Sequence, residues 1–329
     1  MKNYRMSVRV LLPVLMIMFL GACSENDFLI PIPMTEQFEQ NLSAYEIYQG
    51  TWSDLEPTAE YQLLELNSSL FSNYAKKQRL VKLPVGTQMT QTGHGIPEFP
   101  EGTILVKTFF YYLDARDESL GKQVIETRLL ILRQGVWNVA SYVWNESQTE
   151  ATLAVDGLDT SVSWINDSGT PRTIDYHVPD QNECAACHQT NEEVFPLGPT
   201  MRNLNIEVTR GGLAVNQLAF LQSEGLLNDF DVNQIAHIPN YHDEGGSLAE
   251  RARAYLDLNC AHCHNPGGWE KATQREFDFR FETELENTNI LRNQDKIKET
   301  IQAGEMPYLG TTVLDDAGVE LIVEYLDSL

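Results

Sequence analysis

Two pentapeptides constrain this chain more than anything else in it: Cys184-Ala185-Ala186-Cys187-His188 and Cys260-Ala261-His262-Cys263-His264. Both have the C-x-x-C-H spacing by which a c-type haem is attached. Two thiols three residues apart share one helical face, where they can bond the two vinyl groups of one porphyrin. The histidine that follows then points at the iron from the same side. The two motifs take up four of the five cysteines in 329 residues. Cys184, Cys187, Cys260 and Cys263 are therefore expected to hold two haem c groups covalently, with His188 and His264 as the iron ligands. Zinc is the competing reading, since two C-x-x-C pairs can supply four thiolates. The stretch from Cys187 to Cys260 is far longer than the gap of about 15–20 residues between paired zinc knuckles. Neither a zinc site nor a thioredoxin-like site explains a histidine directly after both pairs.

The N-terminus points to the compartment. Residues 1–22 read as a signal peptide: Lys2, Arg5 and Arg9 are basic, Val10 to Leu20 is apolar but short for a bilayer, and Gly21-Ala22 is small. Leu20-Gly21-Ala22-Cys23 resembles a lipobox, where cleavage precedes a cysteine that receives lipid. An ordinary signal peptide with a nearby cysteine is the alternative, but it leaves Cys23 a lone thiol in an oxidising compartment. Each buried acyl CH2 contributes about 0.8 kcal/mol, so two or three chains anchor a protein stably. The chain is thus expected to be lipid-anchored at Cys23 in the cell envelope, at the outer membrane, facing the periplasm or the surface. The acidic run Ser24-Glu25-Asn26-Asp27 resembles the surface-export signal of some Gram-negative lipoproteins.

Charge narrows the partners. The chain has 23 Lys and Arg against 47 Asp and Glu, a formal net charge of −24. Residues 1–22 hold three bases and no acid, so their removal leaves −27. Such a polyanion is a poor ligand for nucleic acid. It suits basic redox protein partners, or simply solubility.

Residues 23–59 read as a tether, because Pro31, Pro33 and Pro57 oppose long helices. Residues 60–175 read as a β-rich domain, with strands over 103–113, 123–132 and 136–144 and further strands over 150–155 and 160–165. Alternation is poor in Phe109–Leu113, which predicts burial on both faces. Trp137, Trp144 and Trp164 are expected in the core, and His94 as a solvated loop residue. Residues 176–329 read as an α-helical region, with 176–246 around the first motif and 247–329 around the second. Tyr176–Pro179 is read as a linker. Asp180 and Glu183 form a capping box ahead of Cys184, and Ser247 and Glu250 another, for a helix running through 251–259 into the second motif. A helix is expected over 213–225 with Gly225 at its end. Asp315 or Asp316 is expected to cap a last helix, with Val319, Ile322, Val323 and Leu326 along one side.

Several segments together resemble a family of bacterial exported di-haem c-type cytochromes with a β domain ahead of the haem region. They are Leu70–Lys77, Lys107–Phe109, Glu126–Leu130 and Tyr142–Asn145 with the first motif, then Gly198-Pro199, Arg202–Asn205 and Tyr255–Gly268. The resemblance covers about residues 60–329. It implies two haem c groups and an electron-carrying role, and it supplies no substrate. The order helix, motif, loops, Met306-Pro307 and last helix resembles the class I cytochrome c fold. That implies crossing first and last helices, with Met306 on the iron opposite His264. A Met/His pair raises the reduction potential. Opposite His188 the candidate is Met201, with His177, His237, His242 or an open position as alternatives.

The expected fold class is α+β, a β-rich N-terminal domain followed by an α-helical di-haem cytochrome c domain. The expected role is electron transfer at the envelope rather than catalysis, as no acid–base constellation marks an enzyme. The alternatives are a di-haem peroxidase or other haem oxidoreductase with one open iron, and a non-haem metal-binding or structural lipoprotein.

Overall fold

The computed structural model describes residues 38–191, 193–268, 272 and 276–329. The expected signal peptide, the lipidation residue Cys23 and the first part of the tether lie outside the described residues.

The chain's β-branched and aromatic runs form one antiparallel sheet. Strands β1 (Gln62–Leu63), β2 (Lys76–Lys82), β3 (Ile104–Tyr112), β4 (Lys122–Arg133), β5 (Val136–Trp144) and β6 (Ala151–Leu153) lie side by side in chain order. Gln134-Gly135 joins β4 to β5 with φ of 55° and 74°, the two-residue turn whose twist matches that of its strands. Glu101 holds this turn, accepting the Gln134 and Gly135 N–H groups at 2.6 and 3.1 Å. Strands β7 (Leu158–Ile165) and β8 (Pro171–Val178) form a separate hairpin. The expected linker at Tyr176–Pro179 is thus mostly strand.

Both faces of the sheet are covered. The first carries Ile104, Val106, Phe110, Leu129 and Ile131, and packs Leu42, Ile47, Tyr48 and Leu55. The Tyr48 hydroxyl meets Thr108 Oγ1 at 2.5 Å, and Trp144 Nε1 donates to Thr127 Oγ1 at 3.0 Å. Leu42, Ile47 and Leu55 are buried, each contributing about 1.5–3 kcal/mol. A tether reaching residue 59 is therefore corrected: the segment from Leu42 onward covers the sheet. Pro57 is tolerated because short 3-10 turns (Leu42–Tyr45 and Trp52–Asp54) replace a long helix there.

The second face is split. Leu64, Val81, Leu105, Leu130 and Val139 form one apolar cluster with Cys184, Met201, Leu204, Leu218 and Leu221. Ala75, Phe109, Tyr111 and Ile125 form another with Val162, Trp164, Tyr176 and Val178 of the hairpin. Ile125 is an extra residue opposite Phe109 and Phe110, a bulge that turns both Ile125 and Glu126 to this side. Phe109 and Phe110 are core on opposite faces, which is why alternation fails there. Trp144 and Trp164 are buried and Trp137 packs at the edge of a cluster.

The first motif's segment shares its core with the sheet, so packing has no break at residue 175. Its helices α1 (Gln181–Cys187), α2 (Met201–Leu204) and α3 (Gln217–Ser223) are short. They alternate with the small hairpins β9–β10 (Gln189–Thr190 and Glu193–Val194) and β11–β12 (Glu207–Arg210 and Leu213–Asn216). The helix expected over 213–225 begins at Gln217 because Leu213–Asn216 pair with β11 and Asn216 caps it, accepting the Ala219 N–H at 3.1 Å. Gly225, at φ 69°, follows its end as expected.

The C-terminal segment has its own core. Helices α4 (Leu248–Asn259), α5 (Ile290–Gln302) and α6 (Asp316–Asp327) surround Ala252, Leu256, Phe277, Phe279, Ile290 and Ile322. Helix α5 was not among the expected elements. Helix α6 turns Leu321, Ile322, Tyr325 and Leu326 inward, while Val319 and Val323 are half-buried. Asp315 sits at its N-cap without a side-chain cap bond. Helix α4 packs against α6 where Gly318 meets the Tyr255 ring. The architecture is α+β.

Candidate functional site

The first motif rides on α1. Asp180 accepts the Glu183 N–H at 2.8 Å and Glu183 accepts the Asp180 N–H at 2.9 Å, the expected capping box. The helix presents Cys184 to the sheet, 3.7 Å from Ser141 Oγ. His188 ends the helix. The chain then doubles back, and His188 Nδ1 lies 2.9 Å from the Phe195 carbonyl oxygen.

The second motif is built differently. Ser247 accepts the Glu250 N–H at 3.3 Å and opens α4. The helix stops at Asn259, and Cys260 is its C-cap rather than part of it. The motif itself is a tight turn, with the Cys263 and His264 N–H groups on the Cys260 carbonyl at 3.2 and 2.9 Å. A shared helical face thus applies to the first pair of thiols and not to the second. Asn265 Nδ2 clamps the turn, donating to the Ala261 carbonyl at 2.8 Å. The His264 ring packs on Phe277 and Phe279, with centroids 5.8 and 5.4 Å away. Its Nδ1 lies 3.2 Å from the Ala272 carbonyl oxygen.

The two motifs meet. The Cys187 thiol lies against Cys263 and His262, and the Cys263 contact with burial pushes it above the ordinary thiol range. The Asn191 N–H donates to the Gly267 carbonyl at 2.8 Å, tying the loops that follow the two motifs. Burial raises Cys184 and Cys260 to about 12. Burial pulls His188 down to about 3, helped by the positive charges of Lys107 and Arg128. Burial also lowers His264. Both shifts favour the neutral imidazole, the form that ligates a metal.

These residues fit a haem on an observation of this structure. Each motif histidine has Nδ1 directed at a backbone carbonyl, and neither Nε2 has a partner among the described residues. A ring N–H tied to a carbonyl fixes the tautomer and leaves the other nitrogen free to ligate a metal. The four motif thiols are free. Among the described residues no group of three or more His, Cys, Asp or Glu is placed to hold a metal ion, and Cys184 faces Ser141 while Cys187 faces Cys263.

Of the candidate distal ligands, Met201 is fully buried at the start of α2, in the cluster that holds Cys184. Met306 is half-buried on the connection between α5 and α6. His177 is removed from consideration: its Nδ1 meets Asp159 at 2.6 Å and its Nε2 meets Glu183 at 2.8 Å. His237 is exposed beside Asn205, and His242 packs at a tilt against Tyr241, with ring centroids 4.2 Å apart. His94 is exposed but not merely solvated, as its Nδ1 accepts the Ala236 N–H at 3.1 Å.

Sequence reading missed four charged residues at this site. Lys77, Arg79, Lys107 and Arg128 line the sheet between the two apolar clusters of its second face. Only Lys107 leaves a clear trace in the sequence, as a lone basic residue in Ile104-Leu105-Val106-Lys107-Thr108-Phe109; Lys77 and Arg79 sit in the polar run Lys76-Lys77-Gln78-Arg79.

Comparison with protein-family profiles, curated proteins and solved structures matched none of them. No described helix is long and apolar enough to cross a membrane.

Proposed function

We propose that this chain is a di-haem c-type cytochrome that carries electrons at the bacterial cell envelope, anchored by lipid at Cys23. The observation that carries the reading is the paired design of the motifs. Each has two unpaired thiols and a neutral histidine whose Nδ1 is held by a carbonyl, and the two motifs touch through Cys187 and Cys263. Cys184 and Cys187 would hold one haem as thioethers, and Cys260 and Cys263 the other. His188 and His264 would ligate the irons, with Met201 and Met306 as distal candidates. Bound haem supplies reversible one-electron chemistry. The chain's own contribution is to keep the two attachment points adjacent and the proximal rings fixed. The acidic surface favours basic redox partners.

Mass and absorption spectra of the mature protein, oxidised and reduced, with and without carbon monoxide, test this. Two haem additions with no response to carbon monoxide are expected. A mature mass without haem refutes the reading. One haem that binds carbon monoxide moves the function to a haem oxidoreductase with an open iron.

A further inference from the structure

Arg79 pairs with Lys107, Lys107 with Arg128, and Arg128 with Ser141, in register across β2, β3, β4 and β5. Residues directly opposite share a face, and like charges so placed repel. Neighbouring strands are about 4.8 Å apart, so three cations lie within roughly 10 Å. Lys77 adds a fourth, opposite Phe109. The only carboxylate in the band is Glu126. It is fully buried and committed to Arg128, at 2.5 and 2.8 Å, and to the Tyr176 hydroxyl at 2.6 Å. Lys77 reaches only the Leu70 carbonyl (3.1 Å) and Arg79 only Ser69 Oγ (3.2 Å). Lys107 Nζ lies over the Phe109 ring, 4.8 Å from its centroid. Among the described residues no carboxylate pairs with Lys77, Arg79 or Lys107.

A chain with twice as many acids as bases has thus gathered four half-buried bases and one buried acid on one face of the sheet. Burial pulls Arg79 down to about 10, and burial together with repulsion from neighbouring cations pulls Lys77 down to about 7 and Lys107 well below its ordinary value. Burying unmatched charge is expensive unless a counter-charge arrives. The row ends at Ser141, the residue that Cys184 touches, and His188 feels both Lys107 and Arg128.

We infer that the band Arg79–Lys107–Arg128, with Lys77, is the cradle for the propionate carboxylates of the haem attached at Cys184 and Cys187. This rests on the cytochrome reading above. A haem held by thioethers at Cys184, beside Ser141, would need counter-charges for its propionates, and Arg128, Lys107 and Arg79 would supply them along the row that ends at Ser141. The β sheet is on this view part of the first haem site, supplying the counter-charges that the helical segment lacks. Other titratable groups interacting with the band are Lys76 of β2, Tyr176 of β8, Cys184 of α1, His188 after it, Tyr241, His242, and Asp315 ahead of α6.

The test compares wild type with Lys107→Met and Lys107→Arg as mature haem-loaded proteins. Intact mass counts haems, and potentiometry at several pH values reads each haem separately. Lys107→Met should keep both haems, lower one potential and leave the other. The lowered one should acquire a pH dependence through the neutral range, because a propionate without its cation takes up a proton more readily. Lys107→Arg should restore both the potential and the flat profile. Should Lys107→Met not accumulate folded, Arg79→Gln carries the same expectation. Two haems with unmoved potentials and profiles overturn the cradle alone. An equal fall of both potentials overturns its assignment to the first haem. Wild-type protein without haem overturns the underlying reading, and the cradle with it.

Discussion

Gly318 offers the most direct measure of how the C-terminal segment is held. It lies in the first turn of α6, on its buried side, against the ring of Tyr255 from α4. A Cβ added there would overlap three atoms of that ring, Cζ, Cε2 and Oη. The ring has little room to yield. Tyr241, itself buried, stands edge-on to it with centroids 5.1 Å apart, and the Tyr255 hydroxyl is tied to Asp315. Forcing a methyl into a packed contact costs about 1–3 kcal/mol. Alanine offsets up to about 1 kcal/mol of that through helix propensity. Gly318→Ala should therefore destabilise by roughly 1–2 kcal/mol, a fall in Tm of about 2–8 °C at 2–4 °C per kcal/mol. Thermal unfolding followed by circular dichroism reads the shift. Tyr255→Leu removes the obstructing ring, so the double variant should recover part of the loss, with a coupling of about 0.5 kcal/mol or more. A Gly318→Ala protein stabilised by about 1 kcal/mol, with no coupling to Tyr255, would show that α4 and α6 do not meet at this point.

Three further outcomes follow from named contacts. Asn203→Ala strips the side-chain partner from the Ser68 N–H and the Ser68 carbonyl, while the Gly198 carbonyl keeps the Thr200 N–H. At about 1–3 kcal/mol per unsatisfied buried group, a urea midpoint equivalent to a loss of under about 1 kcal/mol would contradict that network. His177 is lowered by burial but raised more by Glu183 and Asp159, so its folded pKa is above its unfolded one. Its stabilisation is complete below about pH 6.5 and is lost as pH rises through the folded value; His177→Gln should flatten that part of the stability curve, and an unchanged slope removes His177 from it. On the cytochrome reading, Met306→Ala lowers the potential of one haem, and two unmoved potentials take Met306 off the iron.

The parts legible in the sequence were those set by local chemistry. Asp180 and Ser247 cap their helices, strands β3, β4 and β5 lie within a residue of where their composition put them, and the tryptophans pack. What stayed hidden depended on distant partners. Nothing near Leu42 or Ile47 says that a sheet will cover them, because the sheet residues they pack on, from Leu80 to Ala151, all come later in the chain. Helix α3 starts late because Leu213–Asn216 find a partner in β11. Lys107 and Arg128 were visible as residues of strands, but their convergence exists only through register. The two motifs were read as belonging to separate haem frames, and the contact between Cys187 and Cys263 has no trace in either.

That contact bears on what the β region is for. The first motif shares the sheet's core while the second sits on the helical core of Ala252, Leu256 and Ile322. Two bodies built so differently would drift apart unless bridged. The loop between β1 and β2 is the bridge. The Phe71 N–H donates to Asn259 Oδ1 at 2.7 Å, one residue before Cys260, and the Thr312 N–H donates to Asn73 Oδ1 at 2.9 Å. The Tyr241 hydroxyl reaches the Ser69 carbonyl, and Asn203 and Gln217 grip Ser68 and Glu65 of the same loop. The loop that leads into the strand bearing Lys77 and Arg79 therefore also holds the end of α4. If electrons pass between two haems on these motifs, their separation is set by this loop and by the pairing of Asn191 with Gly267. A β domain that served only to dock partners would not need to reach Asn259. On the cytochrome reading, Phe71→Pro, which deletes the N–H to Asn259, should shift the absorption spectrum or potential of a haem at the second motif, although the substitution lies in the β region.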